Sequence, residues 1–233
     1  MTGVLRLACL DAEAPPLFNA SVDGVTRVGY EPSAAALVAA QMGRTVEWVM
    51  VPWVEMIPTV QRHEADAVWC GQSVIPSRQE QVDFTRPYAI FNESLLVRKG
   101  SGLTAPDQLA GLRIGAIAGS TNMALAETFP DVITVPFGGE TDDVFGDMLA
   151  ALAAGEVDGV VDDDVVFVPL DSDPRFELAF TIATGNRWGI GIAKDRPELR
   201  DEIDAALAAV IADGRLEQVW REWMPSLAFP FPE

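Results

Sequence analysis

The feature that most constrains the fold is a regular alternation of apolar strands and helical segments over residues 4–70. The predicted elements, in chain order, are Val4–Leu10, Ala34–Met42, Thr45–Val51, Trp53–Arg62 and Ala65–Cys70. This strand–helix–strand alternation predicts a parallel sheet with helices on its faces. Ligands of such sheets bind beyond the carboxyl ends of the strands, which here are the turns at Asp11 and Gly71.

A second α/β pattern begins after the linker-like segment Lys99–Gly102. Its helical and strand segments again alternate and are separated by Gly, Pro or acidic residues. The predicted elements are the strands Leu112–Ile117, Val132–Pro136, Val157–Val161, Phe176–Thr184 and Trp188–Ala193, with helices at Met123–Phe129 and Pro197–Asp213. The sequence therefore predicts an α/β protein built from two α/β units.

Acidic residues outnumber basic residues by 35 to 16, which gives a formal net charge of −19. A potential of this sign repels phosphate backbones and anionic membrane surfaces, so no nucleic-acid partner is expected. No segment approaches the roughly 18 apolar residues that span a bilayer. The opening segment MTGVLRLACLD lacks the basic and apolar regions of a signal peptide. Either a signal segment or lipid anchor was removed, or the protein stays in the cell.

The two cysteines, Cys9 and Cys70, do not make a disulfide framework in a chain of 233 residues. We expect buried thiols, and the alternative is one disulfide between them. The only histidine, His63, lies in a polar stretch and is expected on the surface. A single histidine gives poor support for a Ser-His-Asp triad, and Cys/His metal spacing is absent. The sequence therefore predicts neither a metal nor a cofactor.

The stretch Gly71–Tyr88 is the first candidate for ligand chemistry. It follows a predicted strand and carries Arg78 a short distance after Ser73. The rigid guanidinium fork of arginine suits a carboxylate, and serine adds a hydroxyl group. This pattern predicts an anion-binding turn, and the alternative is a solvated surface arginine.

Two further candidates lie in the second α/β pattern. The segment Gly119–Thr121 stands between a strand and a helix, where unpaired amides and hydroxyl groups can hold an anion. Asp163 follows a strand, and its carboxylate can hold an ammonium group. The alternatives are an ordinary helix cap and a solvated turn acid. Taken together, an arginine for a carboxylate and an aspartate for an ammonium group are the minimum needed to recognise an α-amino acid.

Several segments resemble the family 3 solute-binding proteins, the amino-acid receptors of bacterial uptake systems. The order and spacing of these segments agree with the family over nearly the whole chain. They are GYEPSAAALVAAQMG (29–43), VPWVEMIPTV (51–60), ADAVWCGQSVIPSRQEQVDFTRPY (65–88), IGAIAGST (114–121), AGEVDGVVDDD (154–164) and WGIGIAKD (188–195).

The resemblance implies a role for each candidate residue. It assigns the ligand amino group to Asp163, with its neighbours Asp162 and Asp164 as the alternatives, and backbone access to Gly71. It assigns contacts with the ligand carboxylate to Ser73, Arg78, Ser120 and Thr121. Asp11 matches a position that contacts the side-chain nitrogen in receptors for cationic amino acids, and Glu13 adds a second acid beside it.

One departure from the family concerns the aromatic residue that commonly stacks on the ligand. Ala14 occupies its place before the two prolines. Phe18, Trp53 and Trp69 are the candidates for the missing aromatic wall. Because spacing does not choose among them, all three stay open at this point.

The resemblance further implies two doubly wound α/β lobes joined by a two-stranded hinge that closes on the ligand. The expected boundaries are 1–98 with 190–233 for lobe 1, and 99–189 for lobe 2. Function would be capture of a small amino acid or related zwitterion for the membrane permease of an ABC transporter, by an extracytoplasmic monomer. Such a receptor would be periplasmic or lipid-anchored, and a cytoplasmic protein is the alternative.

Two other functions are compatible with the same scaffold. Some relatives dehydrate cyclic carboxylic acids such as prephenate or arogenate, a reaction that needs a general acid in the cleft. Glu13 and Glu93 are the candidate acids for that reaction. The other alternative function is that of a ligand-sensing domain of a receptor or kinase.

Overall fold

The computed structural model describes residues 3–19, 23, 25–138 and 143–231 of the chain. These residues form a mixed α/β protein, as the sequence predicts. The strands are β1 (Gly3–Cys9), β2 (Arg44–Met50), β3 (Ala67–Val68), β4 (Val82–Arg98), β5 (Arg113–Ile117), β6 (Ile133–Phe137), β7 (Gly159–Asp163) and β8 (Phe176–Ala193).

Helices connect most of these strands. They are α1 (Tyr30–Gln41), α2 (Met56–Gln61), α3 (Pro76–Gln79), α4 (Thr121–Ala126), α5 (Val144–Ala154), α6 (Asp164–Phe167), α7 (Pro197–Ala212) and α8 (Arg215–Trp223). Short 3₁₀ turns occur at Trp53–Glu55, Pro106–Gln108 and Val168–Leu170. Among the described residues, no helix is both long enough and apolar enough to cross a membrane.

The chain divides into two compact units, each made of more than one segment. Unit 1 comprises Met1–Ala12, Pro16–Ile90 and Asn186–Glu233, and unit 2 comprises Glu13–Pro15 and Phe91–Gly185. The chain changes unit inside β4 and inside β8. The boundaries expected from the sequence, 98/99 and 189/190, lie further along the same two strands and stay a prediction.

Unit 1 is organised around β1. This strand pairs in parallel with β2, from Gly3 opposite Arg44 to Cys9 opposite Met50, and in parallel with β3 on its other side. β3 in turn pairs antiparallel with the last part of β8 through Val68 and Gly191. Leu7 and Ala8, neighbours on β1 whose side chains point to opposite faces, are both fully buried, as expected where a strand is covered on both faces.

Unit 2 is organised around β7 and β5. β7 pairs antiparallel with the second half of β4, and β5 pairs in parallel with both β6 and β7. An apolar core fills the space between these strands and α4. Its buried members are Leu95, Val97, Leu109, Ile114, Ala116, Met123, Ala126, Phe129 and Val161.

Several element predictions need correction. The helix predicted at Trp53–Arg62 is a 3₁₀ turn at Trp53–Glu55 followed by α2, and the helix predicted at Met123–Phe129 is Thr121–Ala126. The first helix begins at Tyr30 instead of Ala34, because Pro32 is tolerated within a first helical turn. The third strand shrinks from Ala65–Cys70 to Ala67–Val68, since the chain turns away before Gly71, whose φ is 57°. The two strands expected around Gly185 form one continuous strand, β8, in which Gly185 takes a φ of 58°.

Candidate functional site

The turn at Gly71 is held from inside unit 1 by the buried carboxyl group of Glu31. The Gly71 amide donates to Glu31 Oε1 at 2.8 Å and lies 3.2 Å from Tyr88 Oη. The Tyr88 hydroxyl group in turn donates to the same Glu31 oxygen. Glu31 is 2% exposed. The left-handed turn after β3 is therefore fixed by a hydrogen-bonded carboxyl group at the start of α1.

The electrostatics of Glu31 follow from its burial. Desolvation raises the pKa of Glu31, and the donors Tyr88 and Gly71 and the nearby charge of Arg27 oppose that rise. Burial is also the main reason why the pKa of Tyr88 lies above its usual range. In the sequence, Glu31 is marked only by its place in segment 29–43, which resembles the family, and that is the signal that could have found it.

Arg78 lies on the short helix α3, whose first residue is Pro76. Its side chain is buried, and Nη1 donates to the Ser73 carbonyl oxygen at 3.3 Å. The guanidinium carbon lies 5.4 Å from the centre of the Trp53 ring, within the range of a cation–π contact. The structure thus brings Ser73, Arg78 and Trp53 together in unit 1. The sequence predicts the proximity of Ser73 and Arg78 but not that of Trp53.

The backbone around Ser73 is supported by the last part of β8. Ser73 forms an isolated antiparallel bridge with Trp188, and the Val74 amide donates to the Arg187 carbonyl at 2.8 Å. A Cβ atom on Gly71 would lie 3.4 Å from the ring of Trp188. The two ends of this turn are therefore fixed by the same strand.

The three candidates for an aromatic wall have different surroundings within unit 1. Trp69 is 1% exposed, and its ring lies 5.1 Å from that of Tyr88, so it packs in the core. The Arg27 guanidinium covers the ring of Phe18 at 4.8 Å. Trp53 is half-buried against Arg78. The assignment of the aromatic wall stays a prediction. Of the three candidates, Trp53 is the one that lies against Arg78, a predicted ligand-binding residue.

Arg27 is a buried cation at the carboxyl ends of β1 and β2 that sequence reasoning missed. Its Nη1 atom donates to the Leu10 carbonyl oxygen and to Cys9 Sγ at 3.0 Å. The guanidinium group also lies 5.4 Å from the Trp48 ring. It therefore sits next to Asp11, which follows β1 and is half-buried.

In unit 2, Ser120 stands immediately before helix α4. Its Oγ atom accepts the Met123 amide at 3.1 Å and donates to the Ile117 carbonyl oxygen at 2.7 Å. The hydroxyl hydrogen is therefore engaged within the turn, and Ser120 acts as the N-cap of α4. Thr121, the first residue of that helix, shares a side-chain hydrogen bond with Glu93.

Asp163 ends β7, and its neighbour Asp162 ties it to the start of α4. Asp162 Oδ1 accepts the Asp163 amide at 2.8 Å and the Asn122 side-chain amide at 2.8 Å. The segment containing Thr121 and the strand end at Asp163 are thus joined through two side chains. The sequence did not single out Asn122, and it indicated Asp162 only as an alternative to Asp163, because nothing local in the chain marks their burial.

Both cysteines are free and buried in unit 1, so the prediction of buried thiols is confirmed. Burial raises the pKa of Cys9 to about 12, which leaves its thiol protonated at neutral pH. His63 Nε2 lies 3.2 Å from Asp195 Oδ2 on the surface, also as predicted. Within residues 3–19, 23, 25–138 and 143–231, no cluster of three or more His, Cys, Asp or Glu residues is arranged to hold a metal ion.

Comparison with known families agrees with this architecture. The profile of the bacterial extracellular solute-binding proteins, family 3, matches residues 6–226. The chain therefore belongs to this family. Members of the family are extracellular solute-binding proteins by description.

Individual relatives are receptors for particular amino acids by name. The putative ABC transporter arginine-binding protein 2 of Escherichia coli K12 is 27% identical over 221 residues, covering 91% of this chain and 88% of the relative. The ABC transporter arginine-binding protein 1 of the same strain is 29% identical over 205 residues, covering 85% and 82%.

Solved structures give the same class of fold. An ancestral arginine-binding protein bound to arginine superposes with a TM-score of 0.85 at 27% identity, covering 96% of this chain and 99% of that chain. An ancestral arginine-binding protein bound to glutamine gives a TM-score of 0.84 at 26% identity over 96% and 99%.

Proposed function

We propose that this protein is the substrate-binding receptor of an ABC-type uptake system and that its ligand is an amino acid or a closely related zwitterion. The observation that carries the proposal is the fixed Arg78 guanidinium beside Ser73 in the segment that most resembles the family. Membership of the family supports the class of function, and the names of the relatives support the class of ligand.

In unit 1, Arg78 and Ser73 bind the ligand carboxylate. A guanidinium group presents parallel N–H donors that match a carboxylate in a bidentate geometry. The contacts with the Ser73 carbonyl oxygen and the Trp53 ring restrain Arg78 in advance, so less side-chain entropy is lost on binding. Gly71 supplies a backbone turn that Glu31 holds in place.

In unit 2, Asp163 binds the ligand ammonium group, and Ser120 and Thr121 contribute to carboxylate binding. Because the Ser120 hydroxyl group already donates to Ile117, Ser120 acts chiefly by fixing the start of α4. Asp162 and Asn122 hold this strand end and this helix start together.

The side chain of the ligand is expected to be cationic or polar, since Asp11 follows β1 at the corresponding strand end. Arginine and glutamine are the first ligands to test, because the similar proteins of known structure contain them. We propose that the receptor is an extracytoplasmic monomer that delivers its ligand to a membrane permease. Light scattering at several protein concentrations tests the monomeric state.

We further propose that the protein catalyses no reaction, in line with relatives that are named as binding proteins. Glu93 is nevertheless a buried acid whose pKa is raised by desolvation, a property shared by catalytic acids. Incubation with prephenate, monitored by the absorbance of phenylpyruvate, is the appropriate check. We expect no product, and product that disappears in Glu93→Gln would contradict the proposal.

Isothermal calorimetry against a panel of amino acids tests the proposed function. We expect at least one member of the panel to bind and the Arg78→Ala variant to bind it about 10- to 100-fold more weakly, the loss expected for a charge-assisted hydrogen bond. Arg86→Ala is the control, since Arg86 lies in the same stretch but pairs with Asp204 on the surface. Unchanged binding by Arg78→Ala would remove the assigned role.

A further inference from the structure

Glu93 is a buried carboxyl group in unit 2 with an unsatisfied acceptor. It is 3% exposed, and Oε1 has no hydrogen-bond partner among the described residues. Asn122, 4% exposed, likewise leaves Oδ1 without a partner within the described part of the chain, while its Nδ2 atom donates to Asp162. Buried polar atoms are rarely left in this state, so both oxygens can accept a hydrogen bond from a group that is not part of the chain.

The position of Glu93 connects it to both proposed ligand-binding elements of unit 2. On β4 it stands directly opposite Asp163 of β7 in the antiparallel register. Side chains at directly opposite positions project from the same face of a sheet, with Cβ atoms about 4.5–5.5 Å apart. The Glu93 side chain also hydrogen-bonds with Thr121 and Thr184.

This cross-strand pair brings together two acidic side chains, each more than nine-tenths buried. Like charges at opposite positions destabilise a sheet, and burial adds a desolvation cost for each charge. The cost is reflected in the pKa of Glu93, which desolvation raises. A proton on Glu93 or a cation bound beside it would offset the cost of burying that carboxyl group.

The missing partner is a donor that carries positive charge. An ammonium group has three N–H donors and no acceptor, so it can satisfy two carboxylates at once. A metal ion is a poorer match, because the described residues contain no cluster of three acidic, His or Cys ligands arranged for one.

We propose that Glu93 is a second anionic contact, beside Asp163, for the ammonium group of the ligand. This inference rests on the proposed function and adds a determinant of selectivity to it. Glu93 makes the receptor select ligands with a free ammonium group over carboxylates that have the same side chain but lack that group.

Calorimetry with L-arginine, L-glutamine and their des-amino analogues tests the inference in the wild type and in Glu93→Gln. Glu93→Gln should weaken binding of the bound amino acid about 10- to 100-fold. Binding of the matching des-amino analogue should be unchanged within error. Glu127→Gln is the matched control, because it makes the same charge change at an exposed position of unit 2.

A second readout separates ligand contact from a merely structural role. Each protein is studied in the Asp162→Asn background, because Asp162 lies near Glu93, has a pKa raised to about 7 and would release protons itself. When an ammonium group approaches Glu93, the carboxyl group should lose any proton it holds, so binding at mildly acidic pH should release protons. Repeating the titration in buffers of different ionisation enthalpy counts those protons. Glu93→Gln should release fewer protons than the wild type, whereas Glu127→Gln should release the same number. This count decides the question if the des-amino analogues do not bind.

The outcomes are distinguishable. If the wild type binds neither the amino acids of the panel nor these probes, both the proposed function and the inference that rests on it are overturned. If the wild type binds and Glu93→Gln matches it in affinity and proton release, the inference alone is overturned. If Glu93→Gln does not fold by circular dichroism, Glu93→Asp replaces it and should retain the preference for the ammonium group. Loss of that preference in a folded Glu93→Asp protein that still binds, or equal binding of both ligand forms by the wild type, would overturn the inference.

Discussion

At the scale of single residues, Asp162 is the carboxyl group whose pKa is strongly raised. It is 6% exposed and accepts hydrogen bonds from Asn122 and from the Asp163 amide. Burial, assisted by the charge of Glu93, raises the pKa of Asp162 from 3.8 to about 7, although both hydrogen bonds oppose the rise. Burial of the Asp162 carboxyl group at the end of β7 therefore lowers the free energy of unfolding by an amount that depends on pH.

This cost predicts how stability changes with pH. Between about pH 4 and about pH 7 the folded protein binds more protons at Asp162 than the unfolded chain does. The free energy of unfolding should therefore fall as the pH rises through that window, by up to about 1 kcal/mol per pH unit. Urea unfolding at several pH values measures the slope.

Asp162→Asn removes the titrating group and keeps both acceptor and shape. The variant should flatten the slope between pH 5 and 7 and be more stable than the wild type at pH 8. Asp107→Asn, a charge-matched control at an exposed position, should keep the wild-type slope. An unchanged slope in Asp162→Asn would show that other groups cause the pH dependence.

The residues of the site differ in how far the sequence could reveal them. Ser73 and Arg78 lie within one short motif, so their proximity follows from local chain geometry. Glu31 and Asp162 act through contacts with residues far along the chain or on another element, at Gly71 and Asn122. Their burial is a product of tertiary packing, which no local pattern encodes.

At the scale of secondary-structure elements, the turn after β3 is the decisive feature of unit 1. Its conformation requires a positive φ at Gly71, where an L side chain costs about 1–2 kcal/mol. The turn also has a fixed environment, because the Gly71 amide is bonded to Glu31 and Trp188 packs against it. Stability and ligand binding should therefore respond together to a change at this position.

Gly71→Ala and Gly43→Ala form a matched pair that separates the two effects. Both glycines have positive φ, at 57° and 67°, and Gly43 has no atom within 4 Å of a built Cβ. Each variant should lower the free energy of unfolding by about 1 kcal/mol. Only Gly71→Ala should also weaken amino-acid binding, by about 10-fold, because a change in this turn displaces the neighbouring Ser73 from the ligand carboxylate.

Thermal or urea unfolding measures the first effect, and calorimetry measures the second. Equal binding by the two variants would mean that the backbone turn at Gly71 has no part in the site.

The strand and helix patterns of the sequence predict most of the secondary-structure elements, and the predictions that were wrong have physical causes. Gly185-Asn186-Arg187 has the composition of a turn, yet β8 runs through it because glycine tolerates the required φ and the Gly185 amide is held by Asn92 Oδ1 at 3.2 Å. β3 is short because its pairing with β1 ends where the Gly71 turn begins. The continuity of β8 and the length of β3 both depend on contacts with residues distant in the sequence, which a local sequence pattern does not show.

At the scale of the whole molecule, the net charge of −19 provides a background field for any ligand. Long-range attraction favours the more cationic of two similar ligands, and salt screens this effect. Converting a ligand carboxylate into an amide makes the ligand more positive. The field alone therefore predicts tighter binding of the amide, whereas recognition of the carboxylate by Arg78 predicts the opposite.

The most direct test of the central claim is a thermodynamic cycle measured by calorimetry. L-arginine and L-argininamide, or the corresponding pair for whichever amino acid binds, are titrated into the wild type, Arg78→Ala and the control Arg86→Ala. We predict that amidation weakens binding about 10- to 100-fold in the wild type and in Arg86→Ala, and that this loss disappears in Arg78→Ala. A wild type that binds the amide as tightly as the acid, or an Arg78→Ala variant that keeps the full loss, would contradict the account.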